Sequence, residues 1–148
     1  MGYSYGAMCT LCATLMALLL VPESTSAARI IVGGSNHWQF GFNYADWAFR
    51  SGPFYQNDTL VFMYNPPSNN NTPPHSVYLF NDFRSFATCN LKRAKMVGNV
   101  AQGGGQGFEF VLQKAKPYMF ACGEHDGIHC RLGLMKFFVL PLQRGCHA

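Results

Sequence analysis

The stretch Tyr118-Met-Phe-Ala-Cys-Gly-Glu-His-Asp-Gly-Ile-His-Cys-Arg-Leu-Gly-Leu-Met135 decides how the rest of the chain is read. Two thiols, two imidazoles and a thioether fall between Cys122 and Met135: Cys122, His125, His129, Cys130 and Met135. A cysteine, then a histidine, then a methionine in one short loop is the donor order of a blue-copper centre. Such a centre takes two imidazoles and one thiolate, with a weak, long axial thioether. A Cys–His–Met set supplies only one of the imidazoles, so a second histidine has to come from elsewhere.

Apolar runs flank this loop on both sides. Pro117-Tyr-Met-Phe-Ala-Cys122 precedes it and Met135-Lys-Phe-Phe-Val-Leu140 follows it, and both are rich in large apolar side chains, as strands are. Further strands are predicted over 29–34, 59–64, 75–80, 92–97 and 108–112. Helix is confined to one or two turns over 43–49 and a short element over 81–89, where Asn81 or Asp82 offers an N-cap. Trp38, Tyr44 and Trp47 are predicted to be core fillers. The run Pro66-Pro-Ser-Asn-Asn-Asn-Thr-Pro-Pro74 is a loop, because proline lacks the N–H a ladder needs. Gly103-Gly-Gly-Gln-Gly107 has no following Lys-Ser/Thr and is a turn, not a phosphate loop. Strands at this spacing, with turns between them, predict an all-β sandwich of two sheets.

The amino end has a different character. The apolar run Ala7–Val21, then Pro22 and the small residues Ser24-Thr-Ser-Ala-Ala28, predict a secretory leader over 1–28, cleaved near Ala27 or Ala28. The run is shorter than the roughly 20 apolar residues of a spanning helix. One domain, 29–142, is left, with a short tail over 143–148. Losing Glu23 raises the net charge from +4 to +5, which suits contact with acidic polysaccharide or other acidic partners. No Lys/Arg stripe marks nucleic-acid binding, and a monomer secreted into the extracellular space is expected.

Cys9 and Cys12 depart with the leader, leaving Cys89, Cys122, Cys130 and Cys146. Four thiols in an oxidising compartment allow two bridges in three pairings. If one thiol is a ligand, one bridge forms and one cysteine is left over. Asn57-Asp-Thr59 and Asn70-Asn-Thr72 are glycosylation sequons that fit the same compartment.

Several pieces together resemble the phytocyanins, secreted plant blue-copper proteins of the cupredoxin fold. They are Val32-Gly-Gly-Ser35, Trp38, Tyr44-Ala-Asp-Trp-Ala48, Phe54 to Tyr64, His75-Ser-Val77, Cys89, Phe120-Ala-Cys-Gly123, His129-Cys130 and Met135-Lys136. The resemblance implies a Greek-key sandwich with one or two short helices, and a single copper ion held by His75, Cys122, His129 and an axial residue near Met135. It further implies a Cys89–Cys130 disulfide and an electron carrier rather than an enzyme, with an unknown redox partner or cell-wall component; lacking the stalk and anchor tail of many relatives, the chain is expected to be soluble in the extracellular space or cell wall.

Two spacings depart from the family. Six residues, Gly123 to Ile128, separate Cys122 from His129, and five separate His129 from Met135; both intervals are longer than usual. Counting from His129 places Leu134 in the axial position, whereas the register of the last strand places Met135 there. His125 competes with His129; Cys130 beside His129 matches the family's disulfide, which favours His129 and leaves His125 as a solvent-facing residue of the inserted turn. His37 and His147 have no partner pattern. A Cys122–Cys146 bridge would remove the thiolate and make the chain a copper-free module like the early-nodulin-like proteins.

Overall fold

The computed structural model describes residues 26–68 and 72–145. The leader over 1–28 falls outside these residues except for 26–28, and Asn70, Cys146 and His147 also lie outside them.

Two sheets form a sandwich. The first has the order β1 (Arg29–Ile31), β2 (Thr59–Phe62), β5 (Phe108–Val111). β1 runs parallel to β2, with Arg29 opposite Thr59, and β5 runs antiparallel to it. The second sheet is antiparallel throughout, in the order β4 (Ala94–Gly98), β3 (Val77–Phe80), β6 (Tyr118–Ala121), β7 (Lys136–Val139). Each predicted strand is present, most of them trimmed at one or both ends. The first stops at Ile31 because the chain turns at Gly33, whose φ is +79°. A Cβ at Gly33 would collide with the His37 carbonyl and the Tyr44 ring, so only glycine fits this turn.

The sequence suggested one or two short helices, and the structure has three: α1 (Tyr44–Ser51), α2 (Phe83–Ala87) and α3 (Glu124–Arg131), besides short 3-10 turns at Gly34–Asn36 and Leu91–Arg93. α1 is capped by Asn43, whose side chain accepts from the Asp46 N–H at 3.1 Å, and α2 by Asp82, which accepts from the Ser85 N–H at 2.8 Å. α3 carries no apolar period and was not legible. It is interrupted at His125, Asp126 and Gly127, all at positive φ, so it is two turns joined by a left-handed kink.

The core lies between the sheets and is largely aromatic. Trp38 is fully packed, with Phe62 edge-on at 5.2 Å, Phe137 at 6.0 Å and Tyr44 at 4.5 Å between ring centroids. Trp47 is only half-buried and seats α1 against Phe137 of β7 at 5.4 Å. Offset and edge-on pairs of this kind add to what burial alone supplies. The Trp38 indole N–H donates to the Ser76 carbonyl at 3.0 Å, which anchors the segment just before β3.

Candidate metal centre

Three segments converge at one end of the sandwich. Cys122 follows β6 directly. The sequence predicts His75 as the first residue of a strand, but it lies two residues before β3. This places His75 on the irregular segment held by Trp38. His129 sits in the second turn of α3. Their donor atoms form a small triangle: the two Nδ1 atoms are 3.2 Å apart, and Cys122 Sγ is 3.8 Å from His75 Nδ1 and 3.5 Å from His129 Nδ1. His75 is 6% exposed, Cys122 0% and His129 5%.

Whether this set fits a metal follows from its size. A circle through three atoms at these separations has a radius of about 2.0 Å, the length of a metal–imidazole bond. One ion can therefore reach both imidazoles and the thiol without the side chains moving. Among the described residues this is the group of histidine, cysteine and carboxylate donors placed to hold an ion. Two imidazoles and one thiolate in a trigonal set suit copper, and the cluster fits one copper site.

The electrostatics follow from burial. Desolvation, with help from His129 and His125, holds the His75 imidazole down to about 4. His129 is lowered for the same reasons, burial first and His125 second. Burial pushes the Cys122 thiol up to about 11, opposed by the Ser76 N–H, which points at Sγ from 3.5 Å. The copper-free protein therefore presents two neutral imidazoles and a protonated thiol near neutral pH. The Tyr64 hydroxyl is also raised, by burial and then by the nearby Cys122. It donates to the Asn99 carbonyl at 2.6 Å, with its ring 6.5 Å from that of His75.

Backbone bonds stitch the three segments together. The Cys122 N–H donates to the Met135 carbonyl at 2.9 Å, and the Met135 N–H donates to the His129 carbonyl at 3.1 Å. Ser76, fully buried, accepts from the Gly123 N–H through its hydroxyl at 3.3 Å. The Cys89–Cys130 disulfide is present, with the two Cα atoms 5.9 Å apart. It ties the residue after His129 to the segment that follows α2. Cys122 is a free thiol among the described residues.

The residues that spacing left as alternatives differ in burial. Leu134 has φ +55° and is 46% exposed, whereas Met135 is 0% exposed. Met135, Phe137 and Val139 are all buried, as expected of alternate residues on the inner face of a strand. His125 is exposed and lies outside the donor triangle, its ring 4.9 Å from that of His129. His37 is exposed as well. Two residues near the site were missed by sequence reasoning. Ser76 carried a weak signal, adjacency to His75; Phe40, edge-on to His129 at 5.3 Å, carried none.

No protein-family model matches the chain, and no curated protein is similar to it by sequence. Solved structures are similar. Cucumber basic protein, a blue copper protein, superposes with a TM-score of 0.58 at 29% identity, covering 78% of this chain and 100% of that one. Cucumber stellacyanin gives 0.60 at 22% identity, over 81% and 100%, and spinach plantacyanin 0.50 at 23%, over 79% and 100%. The chain thus has the two-sheet cupredoxin fold, its structural neighbours are phytocyanin blue copper proteins, and its His75–Cys122–His129 cluster fits a single copper ion.

Proposed function

We propose that this protein is a secreted type-1 copper protein that carries single electrons in the extracellular space or cell wall. The observation that supports this most directly is the donor triangle: two imidazole nitrogens and a thiol, buried, and spaced for one ion. Copper bound there would accept and return one electron.

The chain's own residues do the rest. His75, Cys122 and His129 would hold the copper through two imidazoles and the thiolate, and Met135, buried and hydrogen-bonded through its backbone to both Cys122 and His129, would offer its thioether. Thiolate and thioether favour the reduced ion, and imidazole serves both oxidation states. Donors already set at bonding distance need to move little between them. The Ser76 N–H would steady the negative charge of the thiolate. The Cys89–Cys130 bridge limits how far His129 can swing. A carrier of this kind needs no general base and no open coordination position, so no enzymatic activity is assigned.

Secretion rests on the leader read over 1–28 and agrees with the disulfide, since such bridges persist in oxidising compartments. Asn57 is exposed on a turn with φ +72°, so it could carry a glycan without disturbing the core. No helix among the described residues is long and apolar enough to cross a membrane. The test is optical. The purified secreted protein loaded with Cu(II) should be intensely blue from thiolate-to-copper charge transfer, and a colourless product with its Cys122 thiol intact would refute the assignment.

A further inference from the structure

Asp58 is a carboxylate only 1% exposed, placed just before β2. Removing a charge from water is costly unless partners replace the solvent, and Asp58 has three. Its Oδ2 accepts from the Tyr55 N–H at 2.8 Å. Its Oδ1 accepts from the guanidinium of Arg144, which also lies over the Tyr55 ring with Cζ 4.8 Å from the centroid. The same Oδ1 accepts from the backbone nitrogen of Ala28 at 2.8 Å. Ala28 is held on its other side too, because its carbonyl accepts from the Thr59 N–H at 2.8 Å.

The small-residue segment before β1 permits two cleavage points. Thr25 with Ala27, or Ser26 with Ala28, each puts small residues at the positions that leader cleavage requires. The structure distinguishes them. Cutting after Ala28 discards the residue that donates to Asp58 and accepts from Thr59. Cutting after Ala27 keeps both bonds, and Ser26 and Ala27 are exposed and outside any strand.

We infer that the leader is removed between Ala27 and Ala28, and that the ammonium so created on Ala28 is a charged partner of Asp58. This rests on the leader reading. The leader-cleaving peptidase adds water across the peptide bond: hydroxyl goes to the Ala27 carbonyl carbon, the C–N bond breaks, and the Ala28 nitrogen leaves as an amine, protonated at neutral pH. A neutral N–H donor becomes a charged one in the same place, and charge-assisted bonds are the stronger kind. Asp58 then joins the first residue of the processed chain and Arg144, near its far end, to β2.

The full chain, expressed in a secreting host, tests both parts. Intact mass and amino-terminal sequencing of the secreted product should show Ala28 first. A product beginning at Arg29 overturns the inference and leaves the leader reading standing, whereas one that still begins at Met1 overturns both. In the Ala28 product, NMR of a 15N-labelled Ala28 should show the α-amine titrating at least one unit above its ordinary range of about 7.7–8.0. Acetylating that amine should lower Tm, and D58N should abolish the difference. An α-amine titrating in the ordinary range, or equal Tm with and without acetylation, would overturn the ion pair even if D58N does not fold.

Discussion

Copper uptake near neutral pH should release one proton per ion, and the number follows from how the three donors are buried. The Cys122 thiol is held up at about 11, so at pH 7 only about one molecule in ten thousand carries a thiolate. His75 is held at about 4 and His129 is also lowered below its ordinary 6.5, so both imidazoles are already neutral between pH 7 and 9. A metal must displace the thiol proton and no other. Apparent affinity should therefore rise tenfold per pH unit over that range, about 1.4 kcal/mol each. The measurement is competition against a chelator of known proton stoichiometry at a series of pH values. Direct counting of protons released into a weakly buffered solution checks it. A slope near zero would mean that Cys122 is already a thiolate in the copper-free protein, and a slope near two would mean that an imidazole is still protonated. Either result would refute the electrostatics derived from burial.

Three further outcomes follow. His129→Ala should abolish the blue absorption, whereas His125→Ala should leave its intensity largely intact; visible spectra of the two variants decide between the histidines, and the reverse pattern would move the site onto the inserted turn. The copper-free protein should lose stability as pH falls from 6.5 toward 4, because the unfolded chain binds the proton that buried His75 refuses; the loss is at most about 3 kcal/mol, reduced by whatever solvent screening reaches the ring, and thermal melts across that window measure it. Replacing Cys89 and Cys130 together by serine opens a loop with a sequence separation of 41 and should cost about 4 kcal/mol by chain entropy, read from denaturant midpoints.

Much of the candidate site could be read along the chain because its residues have unusual chemistry at fixed offsets. Cys122 closing an apolar strand and His129 beside Cys130 mark the loop. His75 after a proline pair is the distant partner, and the resemblance of the surrounding pieces joins them. What could not be read was local geometry that no period encodes. The six residues between Cys122 and His129 carry a charged, apolar-poor stretch, and they form a kinked helix only because His125, Asp126 and Gly127 adopt left-handed backbone. The apolar run predicts a strand from His75, but pairing begins at Val77 with β4 and at Tyr78 with β6.

Residue identity and order along the chain marked Cys122, His129 and His75 as candidate donors, set Cys130 beside one of them, and pointed to apolar runs closing into two sheets. Each is a property of residue identity or short-range spacing. That Met135 is buried and Leu134 exposed became visible in the folded chain alone, because a one-residue shift turns every side chain of a strand to the other face and packing shows which face is covered. Only the tertiary structure brought three donors from three segments to separations of 3.2 to 3.8 Å, and only it set Asp58 against Ala28 and Arg144. Distances between residues far apart in the chain depend on the whole core, from Trp38 to Phe137, and no local pattern records them.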